Sequence, residues 1–440
     1  MNNKKWMAIL LGGIMAASLA APCSVSAAEK TTLTFWHAMG GTNGEVLQQI
    51  VDDFNASQDE IEVKAEYQGT YDDTITKLKA AMQSDSGLPD VCQMYDVGTK
   101  FMYDSGAVIP VEDKFESTGY DKSSVMDVIS SYYTVDGKQY AMPFNVSTPM
   151  LYYNKDVFEA AGLDPETPPT TYDEVLEDAK KIVESGAAPV GYSQAIYGWF
   201  FEQQLAGLGV TYGNNDNGRK EAVTAVDFDS NGGGLKVFDM WKKLYDSGYF
   251  EDYGTTTADT QTAFFSGQVG MIIESTAILK NAVDSSPFEV GTGYLPRIEQ
   301  NDEGGVIIGG GSLWLTDTGN EANEDAAWKF IEYITTPDVQ AKWSMGTGYF
   351  AINEKAYETE DMKAYLKENP NFETAINQLK DSPVNCNTAG VLSGVQTEAR
   401  LTFNEIMPQV YDGKLTTQDA VDQLAASVNK AIENYNESIK

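Results

Sequence analysis

Apolar side chains along the chain follow two spacings that succeed one another in a regular order. Residues 32–37, 61–67 and 88–95 have the pattern of short strands, either alternating with polar residues or continuously apolar. In residues 46–54 and 71–82 apolar side chains recur three and four positions apart, which predicts helices that bury one face. This alternation of strands and helices predicts an α/β fold with a mainly parallel sheet.

Two later helices are predicted from the residues at which they begin. Thr171 and Glu174 have the spacing of a capping box, in which each side chain satisfies a backbone N–H at the start of a helix. Thr416 and Asp419 have the same spacing ahead of the last long helical segment. The sequence contains no repeat of solenoid length, so these elements are expected to belong to globular lobes.

The first 28 residues have the organisation of an export signal. Two lysines precede an unbroken run of apolar and small residues over 7–20, and small residues follow up to Ala28. This order predicts a signal peptide over 1–28, because the run is shorter than a membrane-spanning helix requires. Cys23 leaves lipid attachment open, but Pro22 stands where a lipoprotein signal has a small residue. We therefore expect cleavage, and a location in the periplasm or at the outer face of the cytoplasmic membrane.

Length and charge narrow the class of protein further. A chain of 440 residues is longer than one ordinary core supports and suits two lobes. Its formal net charge is −35, from 30 lysines and arginines against 65 aspartates and glutamates. Such a surface repels phosphate backbones and anionic lipid, which argues against binding to nucleic acid or a membrane surface by charge. A small anion in a cleft is still possible, because charges are screened beyond ~8 Å at physiological salt.

The side chains that common enzymes require are scarce. The single histidine, His37, ends the first predicted strand, where a structural role is favoured over a catalytic one. One histidine excludes multi-histidine metal sites and makes a serine or cysteine hydrolase hard to build. Cys92 and Cys386 lack zinc-site spacing and could pair after export, although two free buried thiols are favoured. We expect no enzyme activity, metal or cofactor; a secreted carbohydrate-active enzyme is the alternative class, since acidic residues are abundant.

Aromatic residues and glycines near polar stretches favour a ligand cleft. The glycine runs at 232–234 and 309–311 match no nucleotide-binding motif. For 309–311 we favour a close approach of backbone N–H groups to a ligand over a simple turn. Aromatic rings beside hydrogen-bonding groups suit a polyol or sugar, although each ring taken alone could equally belong to the core. The rings in question are those of Trp36, Tyr71, Tyr95, Tyr172, Tyr197, Trp199 and Tyr349.

Several longer motifs resemble those of family 1 extracellular solute-binding proteins, which serve ABC importers. The matching stretches run through nearly the whole chain after the predicted signal peptide. They are Phe35–Met39, Gly69–Tyr71, Gln93–Thr99, Pro143–Pro149, Leu151–Asp156, Ile307–Trp314 and Thr347–Tyr349. Within this family the motifs are most similar to those of members that bind sn-glycerol 3-phosphate.

The resemblance implies a two-lobed periplasmic-binding-protein fold of type II, with the ligand cleft between lobes that the chain crosses more than once. By this analogy the N-terminal lobe holds residues 29–146 and 296–348, and the C-terminal lobe holds 147–295 and 349–440. The lobes would close on the ligand like a clamp. The implied partners are a small polar ligand and the membrane subunits of an ABC importer, and the protein itself is expected to be a monomer.

The resemblance also implies which residues contact the ligand. Tyr71 and Tyr349 would supply phenol groups, Ser147 and Ser275 hydroxyl groups, and Gly310 a backbone group. The expected ligand is sn-glycerol 3-phosphate or a glycerophosphodiester such as glycerophosphocholine, and a neutral oligosaccharide is the alternative.

Three further contacts are implied with some change or doubt of role. Asp96 stands where the family has a glutamate that binds glycerol hydroxyls; the alternative is a paired charge at the surface. Tyr172 stands where the family has a tryptophan beside the cleft. Arg400 would grip phosphate through its planar guanidinium, and replacing it would then hardly change the stability of the ligand-free protein. The alternative is a surface arginine paired with Glu398 or Glu405.

Overall fold

The computed structural model describes residues 30–84, 87–300 and 302–439. The predicted signal peptide and Cys23 lie outside these residues. The strands are β1 (Thr31–His37), β2 (Ile61–Tyr67), β3 (Val91–Tyr95), β4 (Val108–Ile109), β5 (Thr134–Val135), β6 (Lys138–Gln139), β7 (Met142–Ser147), β8 (Pro149–Asn154), β9 (Val190–Ser193), β10 (Val269–Ser275), β11 (Val290–Gly293) and β12 (Gly309–Thr316).

The helices follow the same chain order. They are α1 (Gly41–Ser57), α2 (Tyr71–Met82), α3 (Thr99–Asp104), α4 (Glu112–Thr118), α5 (Asp127–Ser130), α6 (Lys155–Ala160), α7 (Tyr172–Ser185), α8 (Gly198–Gly207), α9 (Asn214–Gly218), α10 (Gly233–Asp246), α11 (Thr257–Phe265), α12 (Leu279–Ser285), α13 (Glu321–Ile334), α14 (Pro337–Thr347), α15 (Glu360–Glu368), α16 (Asn371–Asp381), α17 (Gln396–Tyr411) and α18 (Thr417–Ser438). Short 3₁₀ turns span Asp96–Gly98, Lys122–Ser124, Ser131–Tyr133, Thr276–Ile278 and Glu354–Glu358.

The elements predicted from hydrophobic spacing are confirmed. β1, β2 and β3 cover the three predicted strands, and α1 and α2 lie between them. The capping box at the start of α7 forms as predicted, because Thr171 Oγ1 accepts from the Glu174 N–H at 3.2 Å and the Glu174 carboxylate accepts from the Thr171 N–H. The Thr416 side chain likewise accepts from the Asp419 N–H at the start of α18.

The first sheet has the order β2-β1-β3-β12-β4, and β7 also pairs with β12. β1 runs parallel to β2 and β3, whereas β12 is antiparallel to β3, β4 and β7. In the first sheet the prediction of mainly parallel pairing therefore holds for β1–β3 and is wrong for β12 and its partners. The pattern of β12 gave no sign of its direction, because a strand that enters this sheet late in the chain can run either way.

The second sheet has the order β11-β8-β10-β9 and is buried on both faces. On one face Tyr152 and Ile272 belong to a core that continues under the first sheet. On the other face Leu151, Met271 and Ile273 pack with the core formed by α7, α8, α10, α17 and α18. Two covered faces explain why these strands are continuously apolar in sequence.

The chain crosses between the two sheets at closely spaced points. β7 ends in the first sheet at Ser147, and β8 begins in the second sheet at Pro149. The return crossing runs from the end of β11 at Gly293 to the start of β12 at Gly309. After α13 and α14, Phe350 donates its N–H to the Val146 carbonyl beside the first crossing. Below, the first lobe is the body built on the first sheet, and the second lobe the body built on the second. None of the helices in the described ranges is long and apolar enough to span a bilayer.

Candidate functional site

One edge of the first sheet gathers several of the predicted ligand contacts. β3 ends just before Asp96, β7 ends at Ser147, and β12 begins with Gly309–Gly311. The register places Gly311 opposite both Tyr95 and Asn145, and Gly309 opposite Ser147. Three contacts predicted far apart in sequence, Asp96, Ser147 and Gly310, therefore lie at one place where the two lobes meet.

The glycines of this edge are needed for close packing. Gly310 has φ +87°, and a Cβ atom there would lie 1.9 Å from the Asn145 carbonyl oxygen. A Cβ atom on Gly309 would lie 2.7 Å from the ring of Trp199, which comes from the second lobe. Protein atoms from both lobes therefore approach 309–311 closely, whereas the predicted approach of backbone N–H groups to a ligand stays a prediction.

Tyr71 and its neighbours form a rigid aromatic and amide group at this edge. Tyr71 is the first residue of α2, and its hydroxyl accepts from Asn145 Nδ2 at 2.7 Å. The rings of Tyr71 and Tyr95 are stacked, with centroids 5.1 Å apart and planes at 8°. Asn145 is in turn oriented by Gln93, whose Nε2 donates to Asn145 Oδ1 at 2.7 Å. The Tyr71 phenol is therefore held in one direction before any ligand arrives.

Tyr349 lies near this group and is similarly fixed. Its ring stacks on Trp343 with centroids 5.6 Å apart, and the residue is buried. Burial raises the pKa of Tyr349 and, well above its usual value, that of Tyr71. Both phenols therefore stay protonated at neutral pH and can donate hydrogen bonds.

The two predicted serine contacts lie at the first crossing. Ser275 is the last residue of β10, and it pairs with Pro149, which lies two positions after Ser147 in the chain. Ser275 Oγ accepts from the Ala277 N–H at 3.2 Å, so it also caps the short turn that follows. Within the part of the chain that the structure describes, the hydroxyl of Ser147 makes no hydrogen bond.

Arg400 links the two lobes through two carboxylates. From α17, its Nε donates to Glu202 Oε1 at 2.8 Å, and its Nη2 donates to Glu202 Oε2 at 2.7 Å. The same Nη2 donates to Asp96 Oδ2 at 2.7 Å. Glu202 belongs to α8 of the second lobe, whereas Asp96 belongs to the first lobe. The predicted alternative for Arg400, a surface pair with Glu398 or Glu405, is wrong. Arg400 is buried, and so are the two carboxylates that it contacts.

Burial sets the electrostatics of this cluster. It raises the pKa of Glu202, although the Arg400 charge acts in the opposite direction. Burial alone would lower the pKa of Arg400, but the charges of Asp96 and Glu202 outweigh it and raise that pKa well above its usual value. Arg400 is therefore a permanent cation between two acids. The surface alternative for Asp96 is also wrong, because this residue is only 5% exposed.

Tyr172 does not join the cleft. It is 2% exposed in the core of the second lobe, and its hydroxyl accepts from Gln204 Nε2 at 2.8 Å. The prediction that Tyr172 lies beside the ligand needs correction. The cap at Thr171 directs the first turn of α7 so that this ring points inward, where Gln204 satisfies its only polar atom. The second-lobe ring that approaches this edge is instead that of Trp199, at the start of α8, and the Tyr197 ring lies beside it.

Two charged residues near the interface were missed by sequence reasoning. Glu202 follows Trp199, Phe200 and Phe201 in a helix that is almost wholly buried. A charge inside such an apolar run is a signal for a buried partner, and it could have been noticed. Arg219 follows a polar stretch without periodicity, so nothing in the sequence pointed to the interface.

The histidine, the cysteines and the cavity of the described residues lie outside the cluster of Asp96, Glu202 and Arg400. His37 is buried, its Nδ1 accepts from the Met39 N–H at 3.3 Å, and burial lowers its pKa to about 4. Of the three cysteines, the two within the described residues are free, Cys92 buried and Cys386 partly so. In the described ranges no group of three or more His, Cys, Asp or Glu residues could hold a metal ion. A cavity of about 540 Å³ lies beside the second crossing, between Pro168, Leu295 and Gln378.

Comparison with known proteins places this geometry in a family. Residues 49–374 match the family of bacterial extracellular solute-binding proteins. The chain is 30% identical over 417 residues to the sn-glycerol-3-phosphate-binding periplasmic protein UgpB of Escherichia coli (strain K12), covering 93% of this chain and 94% of that protein.

Solved structures show the same fold. UgpB from Mycobacterium tuberculosis in complex with glycerophosphocholine matches with a TM-score of 0.79 at 21% identity, over 93% of this chain and 100% of that one. The cyclic alpha-maltosyl-1,6-maltose binding protein from Arthrobacter globiformis matches with a TM-score of 0.76 at 26% identity, over 92% and 100%.

These matches confirm the predicted two-lobed α/β fold and the predicted family. They also confirm that the protein binds a solute and is not an enzyme, and an extracellular family implies export. The chain therefore belongs to the bacterial extracellular solute-binding proteins, and it is the substrate-binding subunit of an ABC importer.

Proposed function

We propose that the ligand is a glycerophosphodiester or sn-glycerol 3-phosphate, captured between the lobes and delivered to the importer's membrane subunits. The observation that carries this proposal is the direct contact of Asp96 with Arg400 across the interface. A carboxylate can accept from the two adjacent hydroxyls of a glycerol, and a guanidinium can donate to phosphate oxygens. The ligand would thus replace the Asp96–Arg400 contact with one bond to each partner.

Arg400 keeps donors available for a phosphate. Glu202 holds the Nε and Nη2 edge of the guanidinium, and Gln396 Nε2 donates to Glu202 at 2.9 Å from behind. No described residue forms a hydrogen bond with Arg400 Nη1. The two N–H groups of Nη1 would meet the phosphate, while Glu202 keeps the guanidinium plane in place.

The other contacts come from the edge of the first sheet and the first crossing. Tyr71 and Tyr349 would donate from fixed phenols, and the hydroxyl of Ser147 forms no hydrogen bond with any residue that the structure describes. The proposed set of contacts is Tyr71, Asp96, Ser147, Ser275, Gly310, Tyr349 and Arg400. Tyr172 is left out because it lies in the core.

The charges around Arg400 favour a diester over a monoester. With Asp96 and Glu202 ionised, the three side chains together carry one negative charge. A phosphomonoester brings about −1.5 to −2 at neutral pH, whereas a diester brings one negative charge. The second negative charge would be brought close to two buried carboxylates, so we expect the diester to bind more tightly.

A neutral oligosaccharide is the second candidate ligand. Glu202 and Asp96 already compensate the charge of Arg400 in the absence of ligand, with one negative charge in excess, and an uncharged diol would leave that balance unchanged. The stacked rings of Tyr71 and Tyr95 also offer a face to a sugar. The Arthrobacter neighbour is a maltosyl-maltose binding protein with the same fold.

The expected cellular setting and the lobe bounds also remain proposals. We propose cleavage of residues 1–28, a monomer in the periplasm or at the outer face of the membrane, and lobes of 29–146 with 296–348 and of 147–295 with 349–440. The membership of β7 and β12 in the first sheet, and of β8 to β11 in the second, supports these bounds.

Calorimetric titration of the chain from residue 29 onward tests the ligand. The probes are glycerophosphocholine, sn-glycerol 3-phosphate and maltotriose. We expect binding of glycerophosphocholine and weaker binding of sn-glycerol 3-phosphate. Arg400→Lys should weaken the binding of both compounds without abolishing it, since lysine keeps the charge but not the planar fork. Binding of maltotriose without binding of either phosphate compound would refute the proposed ligand and support the second candidate.

A further inference from the structure

Arg219 is an arginine near the interface that has no acidic partner in the described part of the chain. Its Nε donates to the Gly390 carbonyl at 3.0 Å, its Nη1 to the Tyr132 carbonyl at 2.8 Å, and its Nη2 to the Ala389 carbonyl. The guanidinium also lies over the Tyr132 ring, 5.1 Å from the centroid. It forms no salt bridge with any described residue. Burial lowers its pKa to about 10, which leaves it charged at neutral pH.

The backbone that presents Arg219 is held in an unfavourable conformation. Asn215, Asp216 and Asn217 have φ values of 56°, 56° and 59°, and Gly218 follows with 75°. Asn and Asp tolerate the left-handed region better than other non-glycine residues, but three in succession are unusual and persist where surrounding contacts impose them. Here Asn217 Oδ1 accepts from the N–H groups of Tyr212 and Gly213, and its Nδ2 donates to a backbone carbonyl. These three hydrogen bonds fix the turn that immediately precedes Arg219.

The contacts of Arg219 join the two lobes. Ala389 and Gly390 directly precede Val391, which belongs to the core of the second lobe, and Gly213 bridges to Val226 in the same lobe. Tyr132 instead belongs to the core under the first sheet. Only the Nη1 bond and the ring contact therefore cross the interface. When the lobes separate, these two contacts must break, whereas the two bonds within the second lobe can remain.

We propose that Arg219 is a positioning residue for ligand capture, a latch that stabilises the closed arrangement of the lobes by holding Tyr132. The latch does not depend on the identity of the ligand, because its only partners among the described residues are backbone carbonyls and an aromatic ring. It differs in this from Arg400, whose interlobe partner is a carboxylate that the proposed ligand would displace. Loss of the latch should favour the open form equally for every ligand.

The distance between two spin labels, measured in the ligand-free protein, tests the latch. The labels are attached to Gln49→Cys on α1 and Lys180→Cys on α7, which are exposed positions on different lobes. Cys386→Ser removes the partly buried thiol from all variants, and Cys92 is buried. We expect a measurable closed population in this reference protein. Arg219→Gln should lower its closed-to-open ratio about tenfold, the effect of one hydrogen bond from a charged group.

Two variants act as matched controls. Arg297→Gln removes an exposed arginine whose side chain makes no hydrogen bond within the described ranges, so its ratio should equal that of the reference. Arg219→Lys should lie between the reference and Arg219→Gln, because an ammonium cannot span three carbonyls at once. An unchanged ratio in Arg219→Gln, even with a lower unfolding midpoint in urea, would reduce Arg219 to a structural role. Absence of any closed population in the reference would also overturn the latch.

Dissociation rates separate the latch from a ligand contact. The probes are glycerophosphocholine and maltotriose, whichever of them binds. Arg219→Gln should raise the dissociation rate about tenfold while leaving the association rate within twofold, because a latch acts after the ligand has entered. A loss confined to association of the phosphate compound would show that Arg219 contacts or attracts the anion, and would contradict the latch. The ligand-free distances decide the matter if neither probe binds.

Discussion

Arg400 and Arg219 lie on the same side of the interface, and both reach across it, but their surroundings differ in kind. Arg400 bonds to the carboxylates of Glu202 and Asp96, whereas Arg219 bonds to three backbone carbonyls. A carboxylate can change its charge or be replaced by the anion of a ligand. A carbonyl can do neither. The first arrangement is thus suited to exchange its partner, and the second to hold two surfaces together.

The largest expected effect tests whether Arg400 exchanges its carboxylate partner for the ligand. Arg400→Ala should cost ~2–5 kcal/mol of binding free energy for glycerophosphocholine, measured by calorimetry, because the phosphate loses its charged donor. It should also lower the free energy of unfolding by ~3–5 kcal/mol, because two buried carboxylates lose their cation. The sequence alone predicts no such loss of stability, since Glu202 is not foreseen. The double variant Arg400→Gln with Glu202→Gln should regain stability in urea unfolding without regaining affinity.

A smaller effect is expected at the other end of the same contact. Asp96→Asn should weaken binding by ~1.5–3 kcal/mol, because an amide accepts less strongly than a carboxylate from the two ligand hydroxyls. Arg400 keeps Glu202 as partner, so the unfolding midpoint should move less than in Arg400→Ala. Calorimetry that gives the wild-type affinity for a folded Asp96→Asn protein would place the ligand away from Asp96 and break the proposed exchange.

Packing against the Arg400 backbone gives a third test, on stability. A Cβ atom on Gly198, at the start of α8, would lie 2.5 Å from the Cα of Arg400, whereas on Gly207, near the end of the same helix, it would meet nothing within 4 Å. Gly198→Ala should lower the free energy of unfolding by ~1–3 kcal/mol through overpacking. Gly207→Ala is the matched control and should be neutral or slightly stabilising. Equal unfolding midpoints for the two variants would contradict the close approach of α8 and α17.

The smallest expected effect is a pH dependence of ligand affinity that involves the surroundings of Arg400 and not those of Arg219. Burial raises the pKa of Glu202, so acidification protonates it at a higher pH than an ordinary glutamate. Once Glu202 is neutral, Arg400 is less compensated, and the affinity for a phosphodiester should rise several-fold as pH falls toward the raised pKa. Glu202→Gln should abolish this rise, and Arg219→Gln should leave it intact because carbonyls do not titrate. Calorimetry from pH 7.5 to pH 5.5 gives the slope; an affinity that falls steadily with acidification would contradict the assignment.

The elements that sequence spacing predicts are those held by local rules. β1 to α2 follow from apolar periodicity, and the starts of α7 and α18 follow from caps at Thr171 and Thr416. The direction of β12 does not follow, because strand pairing is decided by which surfaces meet in three dimensions. The local pattern predicts whether a segment is a helix or a strand, whereas its neighbours depend on tertiary packing.

The site divides in the same way. Family motifs led to Asp96 and Arg400, and the structure places the two in contact, but their pairing through Glu202 depends on how α8 packs on α17. Tyr172 was carried over by position alone, although a neighbouring cap turns it into the core. The contact of Arg219 with Tyr132 joins residues 87 positions apart in sequence, so no local pattern predicts it.

The place of β12 in the first sheet has a consequence for the order of assembly. β12 pairs with β3, β4 and β7, yet it follows every strand of the second sheet in the chain. During synthesis the second sheet is complete at residue 293, while the first still lacks the strand that joins its parts. Pairing β12 with β3 closes a loop of more than two hundred residues, and contacts of such separation form slowly. The part of the protein that is made first is therefore expected to be finished last.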